Sequence, residues 1–322
     1  MKKKNNLRFL FATVSLFFFV SCEDILEEDI SGDFVNTIFP KEGDTVEGNT
    51  VQFLWNSLEG AESYTLQVYS NTSLVLDTTV TTSNYEGTFT SSLYEWRIKA
   101  ENNGYETQYT FPESFEVITS LDLTNQSVIL TNPSEGLYTN NASIIYAWEA
   151  LVAAETYTFE LLKTETSGTT LVYLEEGLTT TSLSLDATVM DQDAAYSWRV
   201  KAVNATSETS FSSRNLYLDT VDPSTPSLVS PLFEEEFLLS DNIAFSWNFP
   251  NDTGAVNSTI TSYYEIASDE SFTNVIESGN SVATNFDYTF SSIGTYYWRV
   301  RGEDDAGNIG AYNSNGKLIV NE

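Results

Sequence analysis

One stretch decides the fold: Tyr94-Glu95-Trp96-Arg97-Ile98-Lys99-Ala100. It recurs twice with the same alternation, as Tyr196-Ser197-Trp198-Arg199-Val200-Lys201-Ala202 and as Tyr296-Tyr297-Trp298-Arg299-Val300-Arg301-Gly302. Apolar residues occupy every second position, which is the period of a β-strand with one buried face. The copies are spaced by 102 and 100 residues, so the sequence predicts three copies of one domain.

A second aromatic stretch precedes each copy and ends at Trp55, Trp148 or Trp247. Alternate residues before these tryptophans are apolar, and clusters of Gly, Asn, Asp, Ser and Thr separate the stretches. Several short strands per repeat predict an all-β fold of three tandem β-sandwiches. An aromatic residue that shares a strand face with Ile and Ala is predicted to be core. The predicted core aromatics are Trp55, Trp96, Trp148, Trp198, Trp247, Trp298, Tyr94, Tyr196 and Tyr296.

These stretches resemble fibronectin type III domains, which are immunoglobulin-like sandwiches. The first tryptophan of each pair sits where that family has its strand-B tryptophan, and the tyrosine before the second sits at the tyrosine corner of strand F. The resemblance implies domains at residues 36–118, 124–219 and 226–321. Prolines near the starts of these domains, such as Pro40 and Pro133, are expected to mark and stiffen the joints of a semi-stiff rod.

The amino terminus has the pattern of a targeting segment. Lys2, Lys3, Lys4 and Arg8 precede an uncharged, Phe- and Leu-rich stretch that is too short to span a bilayer comfortably. The stretch ends in Phe19-Val20-Ser21-Cys22, which resembles the lipobox of bacterial lipoproteins. This resemblance implies that residues 1–21 are a signal peptide and that Cys22 carries the lipid anchor. Cys22 is the only cysteine, so no intramolecular disulfide can form.

An acidic segment, Glu23–Ile30, follows the cysteine. It resembles the surface-export signal of lipoproteins in polysaccharide-foraging Gram-negative bacteria, which implies an outer-membrane protein facing the cell exterior. The alternative interpretation is a flexible acidic tether over residues 22–35. The chain has a net charge of −32, and removal of the four basic residues of the signal peptide makes it −36. Such a surface repels nucleic acid.

The sequence contains few side chains suited to catalysis. The chain has no histidine, its one cysteine is predicted to be lipidated, and no phosphate-binding or nucleophile motif occurs. Carboxylate pairs occur by chance among 46 acidic residues, so a glycosidase is the last-ranked hypothesis. We therefore predict a protein that is not an enzyme and has no cofactor.

Two sets of residues are candidate ligand sites. Tyrosines in turns or on the polar strand phase are candidates for stacking on a sugar: Tyr69, Tyr85, Tyr105, Tyr109 and Tyr312. Asp304, Asp305 and Asn308 are candidate calcium ligands, although turn chemistry also explains them, so no metal is predicted.

The sequence favours a binding, assembly or spacer module that serves an outer-membrane uptake or adhesion system. The expected partners are the membrane, through the lipid on Cys22, and another cell-envelope protein or an extracellular glycan. The first alternative is a glycan-binding surface lipoprotein, and the second is a purely structural stalk.

We expect Cys22→Ser to abolish lipidation, because the thiol is the atom that takes the diacylglyceryl group. Metabolic labelling with a fatty acid and membrane fractionation measure this, with Ser21→Ala as a control that keeps the label. An unchanged membrane-bound fraction for Cys22→Ser would instead indicate an ordinary secretory signal.

Overall fold

A computed structural model describes residues 27–249 and 254–322 of the chain. The described residues form 24 strands and no helix, and therefore include no membrane-spanning helix. They make two compact units: one contains residues up to 41, 53–85 and 95–114, and the other contains 42–52, 86–94 and 115–322. The predicted signal peptide and Cys22 lie outside the described residues.

The strands follow one another in three groups of eight. The first group is β1 (Thr37–Phe39), β2 (Asp44–Glu47), β3 (Thr50–Trp55), β4 (Ser63–Ser70), β5 (Ser73–Val80), β6 (Asn84–Thr88), β7 (Ser92–Glu101) and β8 (Glu113–Ile118). The second is β9 (Leu130–Asn132), β10 (Leu137–Thr139), β11 (Ile144–Trp148), β12 (Thr156–Glu165), β13 (Gly168–Leu178), β14 (Ser182–Leu185), β15 (Ala194–Val203) and β16 (Ser212–Leu218). The third is β17 (Ser227–Ser230), β18 (Glu235–Leu238), β19 (Ile243–Asn248), β20 (Ile260–Ala267), β21 (Val275–Ser281), β22 (Asn285–Tyr288), β23 (Gly294–Asp304) and β24 (Gly316–Asn321).

Each group builds one three-stranded and one five-stranded sheet. The five-stranded sheets have the orders β2-β8-β7-β4-β5, β10-β16-β15-β12-β13 and β18-β24-β23-β20-β21. The three-stranded sheets have the orders β1-β3-β6, β14-β11-β9 and β17-β19-β22. In every group the second strand runs parallel to the last. The predicted fold class is confirmed: the chain consists of three tandem, fibronectin type III-like β-sandwiches.

An edge-on aromatic contact joins the two sheets of every sandwich. The ring centroids are 5.2 Å apart for Phe53 and Trp96, which lie on β3 and β7. The corresponding distances are 5.2 Å for Tyr146 and Trp198 and 5.0 Å for Phe245 and Trp298. All six tryptophans are at most 3% exposed. Burial of these large side chains and their edge-to-face geometry both stabilise the packing of one sheet on the other.

The strand-F tyrosines close a turn in the same way in all three sandwiches. The hydroxyl of Tyr94 donates to the carbonyl of Thr90 at 2.8 Å. Tyr196 donates to Gln192 at 2.8 Å, and Tyr296 donates to Ser292 at 2.9 Å. Each bond spans four residues, which is the geometry of a tyrosine corner. A buried phenol thereby satisfies its polar end while its ring packs in the core.

The acidic segment does not run as a tether up to residue 35. Ile30 is fully buried, and the side-chain amide of Asn102 donates to the carbonyl of Glu28 at 2.8 Å. Leu123 is also fully buried and packs into the core of the second sandwich. Asn204 there donates to the carbonyl of Leu121 at 3.0 Å, as Asn102 does to Glu28. The segment before each of these two sandwiches is therefore packed, because one apolar residue in it enters the core.

Two of the prolines near the starts of the domains, Pro133 and Pro231, lie inside the sandwiches and not at the joints. Pro133 stands between β9, which pairs with β11, and β10, which pairs with β16. Pro231 stands between β17 and β18 in the same way. Proline has no N–H to donate to a strand ladder, so it ends one pairing just before the chain joins the other sheet. The expectation that such prolines stiffen the joints is wrong for these two residues.

Two turns form hydrogen bonds with residues of the next sandwich along the chain. The side chain of Asn49, between β2 and β3, bonds to both the N–H and the carbonyl of Ser127, at 2.8 Å each. The N–H of Asn140, after β10, donates to the carbonyl of Ala306 at 3.1 Å.

Leu123→Ala should lower the free energy of unfolding of the second sandwich by about 2–5 kcal/mol, because it leaves a cavity in the core. The matched control is Leu121→Ala, two residues earlier, whose side chain is 80% exposed and should change stability by at most about 0.5 kcal/mol. Hydrogen exchange of peptides from β12 and β15 in increasing urea measures both. Equal effects of the two substitutions would contradict the packing described.

Candidate functional site

The solvent face of each five-stranded sheet carries the basic residues of the repeated motif. Strand alternation places Trp96 and Ile98 inward and Arg97 and Lys99 outward on β7. The same positions on β15 are Arg199 and Lys201, and on β23 they are Arg299 and Arg301. These six residues are partly buried, because their aliphatic stems lie across the neighbouring strands.

The first cation of the motif, an arginine in all three sandwiches, stacks on an aromatic ring and bonds to a side chain on the neighbouring strand. The Arg97 guanidinium lies 4.4 Å from the ring centroid of Tyr109 and donates to Gln67 Oε1 at 2.7 Å. Arg199 lies 4.4 Å from Phe211 and pairs with Glu160.

Arg299 in the third sandwich has a ring on each of two sides. Its guanidinium lies 4.1 Å from the centroid of Phe272 and 4.0 Å from that of Tyr312. It also pairs with Glu265, at 2.6 Å from Nη2 to Oε2. We call this repeated arrangement of a cation, a ring and a polar partner the cation ladder.

The second cation of the motif pairs with carboxylates in the first two sandwiches. Lys99 contacts Glu106 and lies 3.1 Å from Glu101 Oε1. Burial alone would lower the pKa of Lys99, but hydrogen bonds to these two carboxylates raise it, so the amine stays charged. Lys201 pairs with Glu208 at 2.7 Å. Five of the six cations therefore have a hydrogen-bonding or acidic partner within the protein, and the sixth, Arg301, lies over Tyr263 and Tyr312.

Three of the five candidate tyrosines belong to the cation ladder. Tyr69 accepts a hydrogen bond from Arg97 at 2.9 Å, while Tyr109 and Tyr312 stack on the arginines. Burial raises the pKa of Tyr109, although Lys99 and Arg97 lower it, so its phenol is neutral at physiological pH. The ring centroid of Tyr85 lies 6.3 Å from that of Phe53. Of the five tyrosines, only Tyr105 is exposed, at 42%. The five do not form one site.

The candidate calcium ligands form a turn. Both carboxylate oxygens of Asp304 accept hydrogen bonds from Asn308, one from its N–H and one from its side-chain amide, at 2.8 Å each. The same amide reaches the carbonyl of Asp219 at 2.9 Å.

The sequence shows why the donor to the Asp219 carbonyl is Asn308 and not residue 304. Asp304 stands six residues after Trp298, where the other two sandwiches have Asn102 and Asn204. A carboxylate cannot donate a hydrogen bond, so Asn308 supplies the donor that those asparagines provide. Among the described residues, no group of three or more acidic, Cys or His side chains is arranged to hold a metal ion.

A groove of about 560 Å³ on the first sandwich contains exposed aromatic residues that sequence reasoning missed. Phe111 is 94% exposed and Phe34 is 65% exposed. Both line the groove, together with Val35, Asn36, Thr37, Lys41, Gln108, Tyr109, Thr110 and Glu113. Comparison of the repeats is the signal that could have found them. The second sandwich has Ser127 and Ser213 at the same distances from its own landmark tryptophans.

The polar side of this groove is a compact network. Lys41 Nζ lies 3.1 Å from Glu113 Oε1 and donates to Thr37 Oγ1 at 2.6 Å. The Thr37 hydroxyl donates to the same Glu113 oxygen at 2.8 Å. One positive and one negative charge thus neutralise each other beside the aromatic rings.

One edge strand of every sandwich exposes aliphatic side chains. β5, β13 and β21 stand last in their five-stranded sheets, with no further strand beside them among the described residues. Their exposed aliphatic residues are Leu74, Val75, Leu171, Leu174, Val275 and Ile276. An apolar edge with unpaired backbone groups is a template for another strand.

Comparison with known proteins concerns the fold. No protein-family model and no curated protein matches the chain. The solved FN1-FN3 domains of chicken CNTN1 are similar at 14% identity, over 90% of this chain and 98% of that one, with a TM-score of 0.43.

Two further structures are similar over shorter stretches. The fibronectin(III)-like modules of Clostridium thermocellum CbhA match at 14% identity, over 58% of this chain and 94% of that one, with a TM-score of 0.23. The chicken interferon gamma receptor alpha chain matches at 15% identity, over 61% and 98%, with a TM-score of 0.25. The class of protein is defined by the strand order of the chain itself: a tandem array of fibronectin type III-like sandwiches.

Arg299→Lys should destabilise the third sandwich by about 1–2 kcal/mol, because an ammonium cannot stack as a plane between two rings. Arg301→Lys is the matched control, since its guanidinium lies farther from its rings, at 5.1 and 5.5 Å. Hydrogen exchange of peptides from β20 and β23 in urea compares the two. A larger loss for Arg301→Lys would contradict the stacking argument.

Proposed function

We propose that the protein is a non-catalytic lipoprotein of the bacterial cell surface, anchored to the outer membrane through Cys22. Its three sandwiches act as a spacer that presents strand edges to another envelope protein. The absence of histidine from the sequence and the use of the strand-F cations inside the ladder both support a non-catalytic role. The lipobox-like residues before Cys22 and the acidic segment after it support the location.

The observation that carries this proposal is the repetition of the exposed edge. The strands β5, β13 and β21 come from three separate sandwiches, yet each exposes two aliphatic side chains at its sheet edge. Proteins usually block such edges with charge or proline because they promote pairing with other chains. Three edges in one chain that expose aliphatic residues and contain no proline favour a use in binding, by addition of a strand from a partner.

The charge of the edges indicates what the partner strand contains. Acidic residues lie on all three strands: Asp77 on β5, Glu175 and Glu176 on β13, and Glu277 on β21. A second copy of this chain would meet like charge across such an edge. An extended segment with alternating aliphatic and basic residues fits both features, since its apolar side chains cover the aliphatic residues and its cations meet the carboxylates.

Site-specific photo-cross-linking in living cells tests the proposal with the full, anchored chain. Cross-linkers at Val75, Leu171 and Ile276 should trap one defined envelope protein through an extended, basic segment. A cross-linker at Ile145 is the matched control, because this exposed residue lies on β11, the central strand of a three-stranded sheet.

The charge variants Leu74→Lys, Leu174→Lys and Val275→Lys, each at the second exposed aliphatic residue of an edge, should remove the product of the cross-linker on the same strand. If the edge positions give no product beyond that of Ile145, the partner-binding role fails and the stalk alternative gains.

A further inference from the structure

We infer that the groove of the first sandwich binds a neutral glycan, with Phe111 and Phe34 as stacking surfaces. This binding is independent of the edge strands proposed above to contact a protein. The groove has the two elements that sugar recognition requires: flat apolar rings open to solvent and hydrogen-bonding groups beside them.

Neither phenylalanine is needed for the fold, because the second sandwich has the same fold with other residues at these positions. Phe34 lies four residues after the buried Ile30, and the equivalent residue after Leu123 is Ser127. Phe111 follows Thr110, whose N–H donates to the Ile98 carbonyl.

In the second sandwich, Val200 and Ser212 correspond to Ile98 and Thr110. The residue that corresponds to Phe111 is therefore Ser213. The same frame therefore folds with serine at both positions. Leaving two phenyl rings in water is unfavourable for the isolated protein, so their exposure in one groove favours a ligand that covers them.

The backbone that carries one of the rings is restricted. Pro112 follows Phe111 directly and restricts that residue to extended backbone conformations. A restricted backbone lowers the conformational entropy that binding removes, and a phenyl ring has only two side-chain torsions to fix.

The charges of the groove determine the class of glycan. Lys41 and Glu113 form an ion pair and share Thr37, so the charged side chains of the groove neutralise each other. The chain as a whole carries −32 before processing, which repels a polyanion such as a uronic acid polymer.

A neutral hexopyranose polymer fits this combination. One face of each pyranose ring presents C–H groups that pack on an aromatic ring, and its hydroxyls can bond to Lys41, Glu113, Asn36 and Gln108 at the rim.

Binding of the full anchored protein, held in detergent micelles, to a panel of neutral and anionic polysaccharides tests the inference. We expect at least one neutral hexopyranose polymer to bind, and no polyuronic acid. Phe111→Ala and Phe34→Ala should each weaken that binding by about tenfold or more, as measured by titration calorimetry.

Phe233→Ala is the matched control: Phe233 is 68% exposed, on the third sandwich, and its removal should leave the affinity unchanged. Saturation-transfer NMR should show the ring C–H protons of the sugar in contact with aromatic protons in the wild type and not in Phe111→Ala.

The outcomes are distinct from those of the cross-linking experiment, because Leu74→Lys, Leu174→Lys and Val275→Lys leave this groove intact. Thermal unfolding of Phe111→Ala and Phe34→Ala should match the wild type, since both side chains are exposed. The inference is overturned if no neutral polysaccharide binds, if an apolar peptide binds the groove instead, or if the polymer binds both phenylalanine variants as tightly as it binds the wild type.

Discussion

The edge-on contact between one aromatic ring of each small sheet and the strand-F tryptophan of the large sheet is the constraint on which this molecule depends. It recurs at 5.0–5.2 Å in three sandwiches whose other core residues differ. Because side chains alternate along a strand, burying Trp96, Trp198 and Trp298 forces their neighbours Arg97, Arg199 and Arg299 to the opposite face. The chain then stabilises these cations with rings and carboxylates on the outside of the same sheet.

This coupling separates what is repeated from what is particular. The tryptophans, the tyrosine corners and the cation ladder appear in all three sandwiches and explain stability. The aromatic groove occurs on the first sandwich, where Phe34 and Phe111 replace the serines of the second. A repeated frame can accept such changes in its exposed segments, because those positions do not contribute to the core.

The fold was predictable because its information is local: period-two alternation around Trp96 and its two copies identifies strands, faces and repeat length. Positions whose role depends on contacts with residues far away in the sequence were not predictable. Ile30 and Leu123 stand in acidic or polar segments that read as linkers, and only the folded chain shows one apolar residue entering a core. Tyr109 was predicted as a candidate for stacking on a sugar; it lines the groove and stacks on Arg97, a contact that the sequence does not show. Asp304 resembled a metal ligand because the sequence does not show that Asn308 occupies both its oxygens.

The parallel pairing of the second and last strands of each sandwich has a mechanical consequence. In the second sandwich Leu137, Tyr138 and Thr139 face Leu216, Tyr217 and Leu218, and in the third Glu235–Leu238 faces Leu318–Asn321. Tension between the two ends of a sandwich enters near one of these strands and leaves through the other. It therefore acts parallel to the two strands and shears the hydrogen bonds between them. The hydrogen bonds of a ladder loaded in shear must break together, whereas those of a hairpin pulled open break one at a time. A chain built this way resists extension at every repeat.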